Sequence, residues 1–197
     1  NPRHVLTLLL TNEGQPYYLD TEGEYWRVYK FVTGGLCLDR AETAEDFYQS
    51  AVAFGHFQTM LADFPAQTLH ETIAHFHDTP VRYAALHAAM EADVVGRRHE
   101  VEAELAFALA HEQEGGTLMQ MLAAGELPLR VTHNDTKLNN VILDEKERTP
   151  LCVIDLDTVM PGLVANDFGD SIRFGASTTP AARRCPKCHA HQDGRCR

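Results

Sequence analysis

The sequence predicts an α+β protein: a small antiparallel sheet, then a mostly helical body whose late short strands carry polar residues. Three observations predict it. β-type runs and turn signals crowd into the first forty residues, the apolar period becomes helical from Thr43, and β-branched runs return after Leu129.

The opening strands are Val5–Leu10, Pro16–Asp20 and Tyr25–Val32, separated by Asn12-Glu13-Gly14 and Thr21-Glu22-Gly23, which reads as an antiparallel meander. Gly34-Gly35 breaks that pattern. Thr43 can then cap a helix, with Glu45 and Asp46 in its first turn and Phe47, Ala51, Phe54, Gln58 and Leu61 at helical spacing. Pro65 and Pro80 punctuate the chain. Tyr83–Ala92, Arg97–Gln113 and Thr117–Ala124 follow as helices, rich in Ala, Leu, Glu and Met and free of proline. Arg130–Thr132, Asn140–Leu143 and Leu151–Ile154 read as short strands, and Asp167–Phe174 as the start of another helix.

Composition bounds the function. The 197 residues are 44% hydrophobic and 23% charged, the balance of a folded globular protein rather than a disordered one. A net charge of −11 opposes any nucleic-acid surface, so no nucleic acid is expected as a partner. No apolar run approaches the roughly 18 residues of a membrane span and no signal-like start is seen, so the expectation is a cytoplasmic protein without a membrane partner. Cys37 and Cys152 stand singly in apolar context, whereas Cys185, Cys188 and Cys196 crowd into a basic tail, which is not a secreted disulfide framework.

The chemistry concentrates in His133-Asn134-Asp135-Thr136-Lys137-Leu138-Asn139-Asn140 and in Val153-Ile154-Asp155-Leu156-Asp157. Phosphoryl transfer to a hydroxyl needs a carboxylate to orient the hydroxyl and take its proton, and oxygen ligands for a Mg²⁺ that bridges the nucleotide phosphates. Asp135 suits the first task; Asn140 and Asp155 suit the second, with His133 packing beneath the loop. An H-x-D-x-x-x-x-N run followed by an aspartate at the end of an apolar strand is the protein-kinase-type arrangement. The Arg after His and the Asp-Phe-Gly triplet of protein kinases are replaced here by His-Asn-Asp and Ile-Asp-Leu-Asp.

That variant resembles the aminoglycoside phosphotransferase and choline kinase superfamily, which implies a protein-kinase-like fold. Val131–Val141, Ile154–Gly162 and Asn166–Arg173 look most like the bacterial N-acetylhexosamine 1-kinases, with the resemblance running from about Asn1 to Ser177. It implies ATP as phosphoryl donor, Mg²⁺ as cofactor and a small-molecule sugar acceptor, phosphorylated at its anomeric hydroxyl. It implies Asp135 as base, Asn140 and Asp155 as metal ligands, Thr158 and Asp157 near the sugar, and Asp167 as a buried brace of the catalytic loop together with His133 and Lys137. The adenine hinge would include Phe31, Val32 and Thr33. The domain reading is then an N-lobe remnant over 1–33, a hinge over 34–40, a helical C-lobe over 41–177 and a disordered Cys- and Arg-rich tail over 178–197.

Departures shape the alternatives. The resemblance implies a glycine-rich segment and a lysine upstream, neither of which is in this sequence, so the expectation is a fragment, inactive alone. The same aspartate would serve an aminoglycoside or choline acceptor. A reading of another class is a non-catalytic binding module with a zinc-binding tail, since Cys185-x-x-Cys188-His189-x-His191 with Cys196 offers soft ligands. His70-Glu71-Thr72-Ile73-Ala74-His75 is rejected as a zinc-protease helix, because its histidines are five apart where one helical face requires four.

Overall fold

The computed structural model describes residues 2–175. In chain order come β1 (Leu8–Leu9), β2 (Tyr18–Leu19), β3 (Tyr25–Trp26), β4 (Val28–Tyr29) and β5 (Gly35–Leu36), then α1 (Ala44–Met60) and α2 (Thr79–Ala92). They are followed by α3 (Glu102–Ala110), α4 (Glu112–Gly115), α5 (Thr117–Ala123) and β6 (Arg130–Thr132). The last are β7 (Val141–Asp144), β8 (Pro150–Val153), β9 (Met160–Gly162) and α6 (Val164–Gly175). These cluster in two units. The first holds the chain up to Ala62, Asp135–Asp157 and the part of α6 from Asp167; the second holds Asp63–Asn134 and Thr158–Asn166.

In the first unit the expected meander is replaced by nested pairing. β2 pairs β3 antiparallel, and β1 skips both to pair β4. The strands are two residues long, well short of the Tyr25–Val32 and Pro16–Asp20 runs. Their side chains explain the shortness: Tyr18, Tyr25, Trp26 and Val28 are all exposed, so no buried face extends the ladders and local turn chemistry holds them. Asp20 is the turn's acceptor, taking the N–H groups of Glu22 and Glu24 on Oδ1 and the Trp26 indole N–H on Oδ2. These bonds hold its carboxyl below the ordinary aspartate range.

The Gly-Gly break itself becomes a strand. β5 pairs β7, and β7 pairs β8, giving a three-stranded antiparallel sheet in the order β5-β7-β8. A Cβ on Gly35 would lie 2.4 Å from Ile142 Cγ2, so only glycine allows this approach. The core of the unit forms where α1 meets this sheet: Ala53 and Phe54 with Leu138, Val141 and Leu143. Full burial of each large side chain contributes roughly 1.5–3 kcal/mol.

α1 starts where the sequence places it. Thr43 Oγ1 accepts the Asp46 N–H, and the Asp46 carboxylate accepts the Thr43 N–H, a reciprocal capping box. Asp46 is only 1% exposed and its charge is met by Arg148, 2.8 Å away in the β7–β8 turn. Arg148 also bonds Glu42. At the other end α6 lies antiparallel to α1. Gln58 donates to Asp167 Oδ2 at 2.8 Å, and a Cβ on Gly175 would lie 1.9 Å from the Phe47 ring.

In the second unit Pro80 opens a helix rather than preceding one. Asp78 caps α2 by accepting the Val81 N–H, and proline in the first turn costs no helical hydrogen bond because that N–H has no partner there anyway. The expected helix Arg97–Gln113 is divided into a 3₁₀ turn (Arg98–Val101), α3 and α4, with His111 out of helical geometry between the last two. β6 pairs the unexpected strand β9 antiparallel. No helix among the described residues is long and apolar enough to cross a membrane.

Burial opposes the Asp46 charge, but bonds from Arg148 and Thr43 outweigh it and hold the carboxyl below its ordinary value. A lowered folded value contributes stability that is present at neutral pH and lost as the pH falls below about 4. Asp46→Ala is therefore expected to cost about 2 kcal/mol at pH 7, through the lost cap and a stranded Arg148. In urea titrations that difference should shrink steadily below pH 4; a pH-independent difference would contradict the charge pairing.

Candidate active site

The β7–β8 hairpin positions the first pair of residues. Asn140 closes a 3₁₀ turn (Leu138–Asn140) immediately before β7, and Asp155 follows β8 after Ile154. With Val141 opposite Val153 in the ladder, the Ile154 N–H reaches the Asn140 carbonyl at 2.9 Å. Residues fifteen apart in sequence are thereby brought to one end of one hairpin. Asp155 sits there at φ 61°, a left-handed conformation that aspartate tolerates better than most residues and that costs about 1–2 kcal/mol.

Asp135 and Lys137 join them. Asn140 Nδ2 donates to the Asp135 backbone carbonyl at 2.8 Å and to its carboxylate Oδ2 at 2.9 Å. Lys137 Nζ lies 2.7 Å from Asp135 Oδ2 and 3.7 Å from Asp155 Oδ2. The side chains of Asp135, Lys137 and Asp155 are 23%, 27% and 46% exposed, so the cluster is half sunk with its carboxylates open to a ligand. Burial alone would weaken the lysine's charge; hydrogen bonds and attraction from Asp135 and then Asp155 outweigh it and raise its pKa.

Two further residues of the first unit were given no part in the site by sequence reasoning. Thr136 is 1% exposed, and its hydroxyl donates to the Asp167 carbonyl at 2.6 Å. Gln58 on α1 holds the Asp167 carboxylate, which is itself buried. Neither contact had a signal in the chain, because each joins residues more than thirty positions apart and one partner is a backbone carbonyl. Asp157 is exposed and ion-paired with Arg27. Phe31 is 82% exposed, and Phe31-Val32-Thr33 runs without regular structure into β5.

In the second unit His133 is fully buried, and its carbonyl accepts the Thr158 hydroxyl at 2.7 Å. Asn134 takes φ 66° and answers with Nδ2 to the Thr158 carbonyl at 2.9 Å, while its own carbonyl meets His77 Nε2 at 3.0 Å. Thr158 is thus engaged as a brace on the segment that precedes Asp135. His75 lies outside any helix, in keeping with rejecting the zinc-protease reading.

Among the described residues no group of three or more His, Cys, Asp or Glu is placed to hold a metal. Asn140 and Asp155 carry an amide and a carboxylate oxygen at one end of the β7–β8 hairpin. The Cys/His tail lies outside the described residues. Against known families, residues 6–194 match the model described as APH, the phosphotransferase enzyme family.

The approach of β9 to β6 is the tightest point in this region. A Cβ on Gly162 would fall 2.1 Å from Thr132 Oγ1 and 2.9 Å from Asn134 Oδ1. Gly162→Ala is expected to lower stability by about 1–3 kcal/mol in chemical denaturation. Adding Thr132→Ala should recover part of that loss, and additive losses would show that the clash is not the cause.

Proposed function

The chain belongs to the phosphotransferase enzyme family, an α+β protein of protein-kinase-like fold, and from that premise we propose that it carries the catalytic residues of an ATP- and Mg²⁺-dependent kinase acting on a sugar hydroxyl. The observation that carries this reading is the cluster of Asp135, Lys137, Asn140 and Asp155, closed by contacts of 2.7–3.7 Å.

The residues present fit Mg²⁺. It takes hard oxygen ligands and usually only one or two from protein, leaving the rest to water and phosphate. Asp155 offers a half-exposed carboxylate; Asn140 commits its Nδ2 to Asp135, which leaves its Oδ1 as the ligand atom. When bound, the ion neutralises charge on the nucleotide phosphates.

The chain's own groups supply the remainder. Asp135 orients the acceptor hydroxyl and takes its proton as the oxygen attacks the γ-phosphorus. One oxygen–phosphorus bond forms, the bond to the leaving diphosphate breaks, and ADP departs with the electron pair. The Lys137 ammonium contacts both Asp135 and Asp155, and its charge favours the negative phosphoryl group. His133 and Asp167 support the loop in this reading. Thr158 and Asp157 serve the acceptor, and Phe31, Val32 and Thr33 the adenine.

The resemblance of Val131–Val141 and Ile154–Gly162 to N-acetylhexosamine 1-kinases supports one acceptor within this reading: the anomeric hydroxyl of N-acetylglucosamine or N-acetylgalactosamine. Incubating the complete gene product with Mg-ATP and a panel of these sugars, an aminoglycoside and choline is expected to give a sugar 1-phosphate. Transfer only to the cationic acceptors would overturn the sugar and leave the kinase.

Asp135→Asn is expected to lower turnover at least 100-fold while Mg-nucleotide affinity by calorimetry stays unchanged, since the base acts on the acceptor in the transition state. Asp155→Asn keeps a residue that tolerates the left-handed backbone and should weaken Mg-nucleotide binding itself. Equal loss of nucleotide affinity in both variants would contradict the division of roles.

A further inference from the structure

Thr136 stands between the two charged residues of the cluster, and its surroundings are unlike theirs. Asp135 and Lys137 turn their side chains to a partly open face, whereas Thr136 is 1% exposed. α6 grips it twice. The Thr136 hydroxyl donates to the Asp167 carbonyl at 2.6 Å, and the Thr136 carbonyl accepts the Ser171 hydroxyl at 3.2 Å. Asp167 and Ser171 are one helical turn apart, so a single face of α6 holds both the side chain and the backbone of one loop residue.

α6 is in turn fixed to α1 at both ends, by Gln58 on the Asp167 carboxylate and by Phe47 against Gly175. Lys137, the next residue, is extended at φ −78° and ψ 152°, and Thr136 is directly bonded to both charged neighbours. Pinning the middle residue inward therefore sets where its neighbours emerge. The bond between a buried hydroxyl and a backbone carbonyl also has a chemical signature. Valine has the shape of threonine but cannot donate, and leaves the carbonyl with one partner fewer; serine keeps the donor and loses a methyl.

We propose that Thr136 is a positioning residue for phosphoryl transfer: its hydroxyl, held by the α6 backbone, aims the Asp135 carboxylate and the Lys137 ammonium at each other and at the reacting groups. This rests on the kinase reading above and adds to it a residue that touches no substrate. The contribution lies in orientation, where a displacement of a fraction of an ångström is costly to turnover and nearly silent in nucleotide affinity.

The test compares Thr136→Val and Thr136→Ser in the full enzyme. Thr136→Val is expected to lower kcat roughly 10- to 100-fold, with Mg-nucleotide Kd unchanged within about twofold. Thr136→Ser should stay within about threefold of the parent. In an Asp135→Asn background the valine substitution should cost almost nothing further, because the residue it aims is already disabled. A second measurement does not need turnover: crystal structures of the variants should show the 2.7 Å contact of Lys137 Nζ with Asp135 Oδ2 lost in Thr136→Val and kept in Thr136→Ser. Equal kcat in the valine and serine variants, an additive loss with Asp135→Asn, or a Lys137–Asp135 contact indifferent to the hydroxyl would each overturn the proposal. Failure of the kinase reading is seen separately, as an Asp135→Asn enzyme that turns over like the parent.

Discussion

The Lys137 ammonium contacts two carboxylates, Asp135 at 2.7 Å and Asp155 at 3.7 Å, and the first unit is built around that pair of contacts. Two carboxylates brought to one place repel each other unless a cation lies between them. The Lys137 ammonium reaches both, nearer to Asp135, and the Asn140 amide adds a donor to Asp135. The β7–β8 hairpin and the turn before it fix the backbone from which Asn140 and Asp155 project. The hairpin register sets Asn140 against Ile154, the 3₁₀ turn before it folds the loop back, and the left-handed backbone at Asp155 turns that side chain out of the strand.

α1 is the common anchor. Near its first turn, Asp46 takes Arg148 from the hairpin; near its last, Gln58 takes Asp167 from α6. The hairpin carries Asn140 and leads into Asp155, and α6 grips Thr136, so both supports of the cluster are referred to one helix. The apolar contacts of Phe54 and Ala53 with Val141, Leu143 and Leu138 make that reference rigid, since close-packed interiors transmit displacement rather than absorb it. A site whose rate depends on orientation gains from being built this way.

Much of this was legible in the chain because the signals are local. Thr43 and Asp46 announce the start of α1, and the spacing from His133 to Asn140 with the strand-end Asp155 marks the cluster. Other elements were hidden by residues whose meaning depends on partners. Pro80 read as punctuation and lies in the first turn of a helix; Gly34-Gly35 read as a break, yet Gly35 lies in β5 because the Ile142 side chain approaches closely enough to require glycine. The long strand expected over Tyr25–Val32 divides, since alternating aromatic residues favour a strand only where one face is buried. Gln58, Thr136 and Arg148 gain their roles from residues more than thirty positions away, a distance at which periodicity and capping carry no information.

The central claim is that Asp135, Lys137 and Asp155 behave as one charge-coupled unit, and the titration of Lys137 tests it most directly. In the parent protein, NMR observation of the Lys137 Nζ should give a pKa above 10.5. Asp135→Asn should lower it clearly and Asp155→Asn less, following the contacts of 2.7 Å and 3.7 Å. A lysine that titrates at its ordinary value in the parent and stays there in both variants would contradict the account.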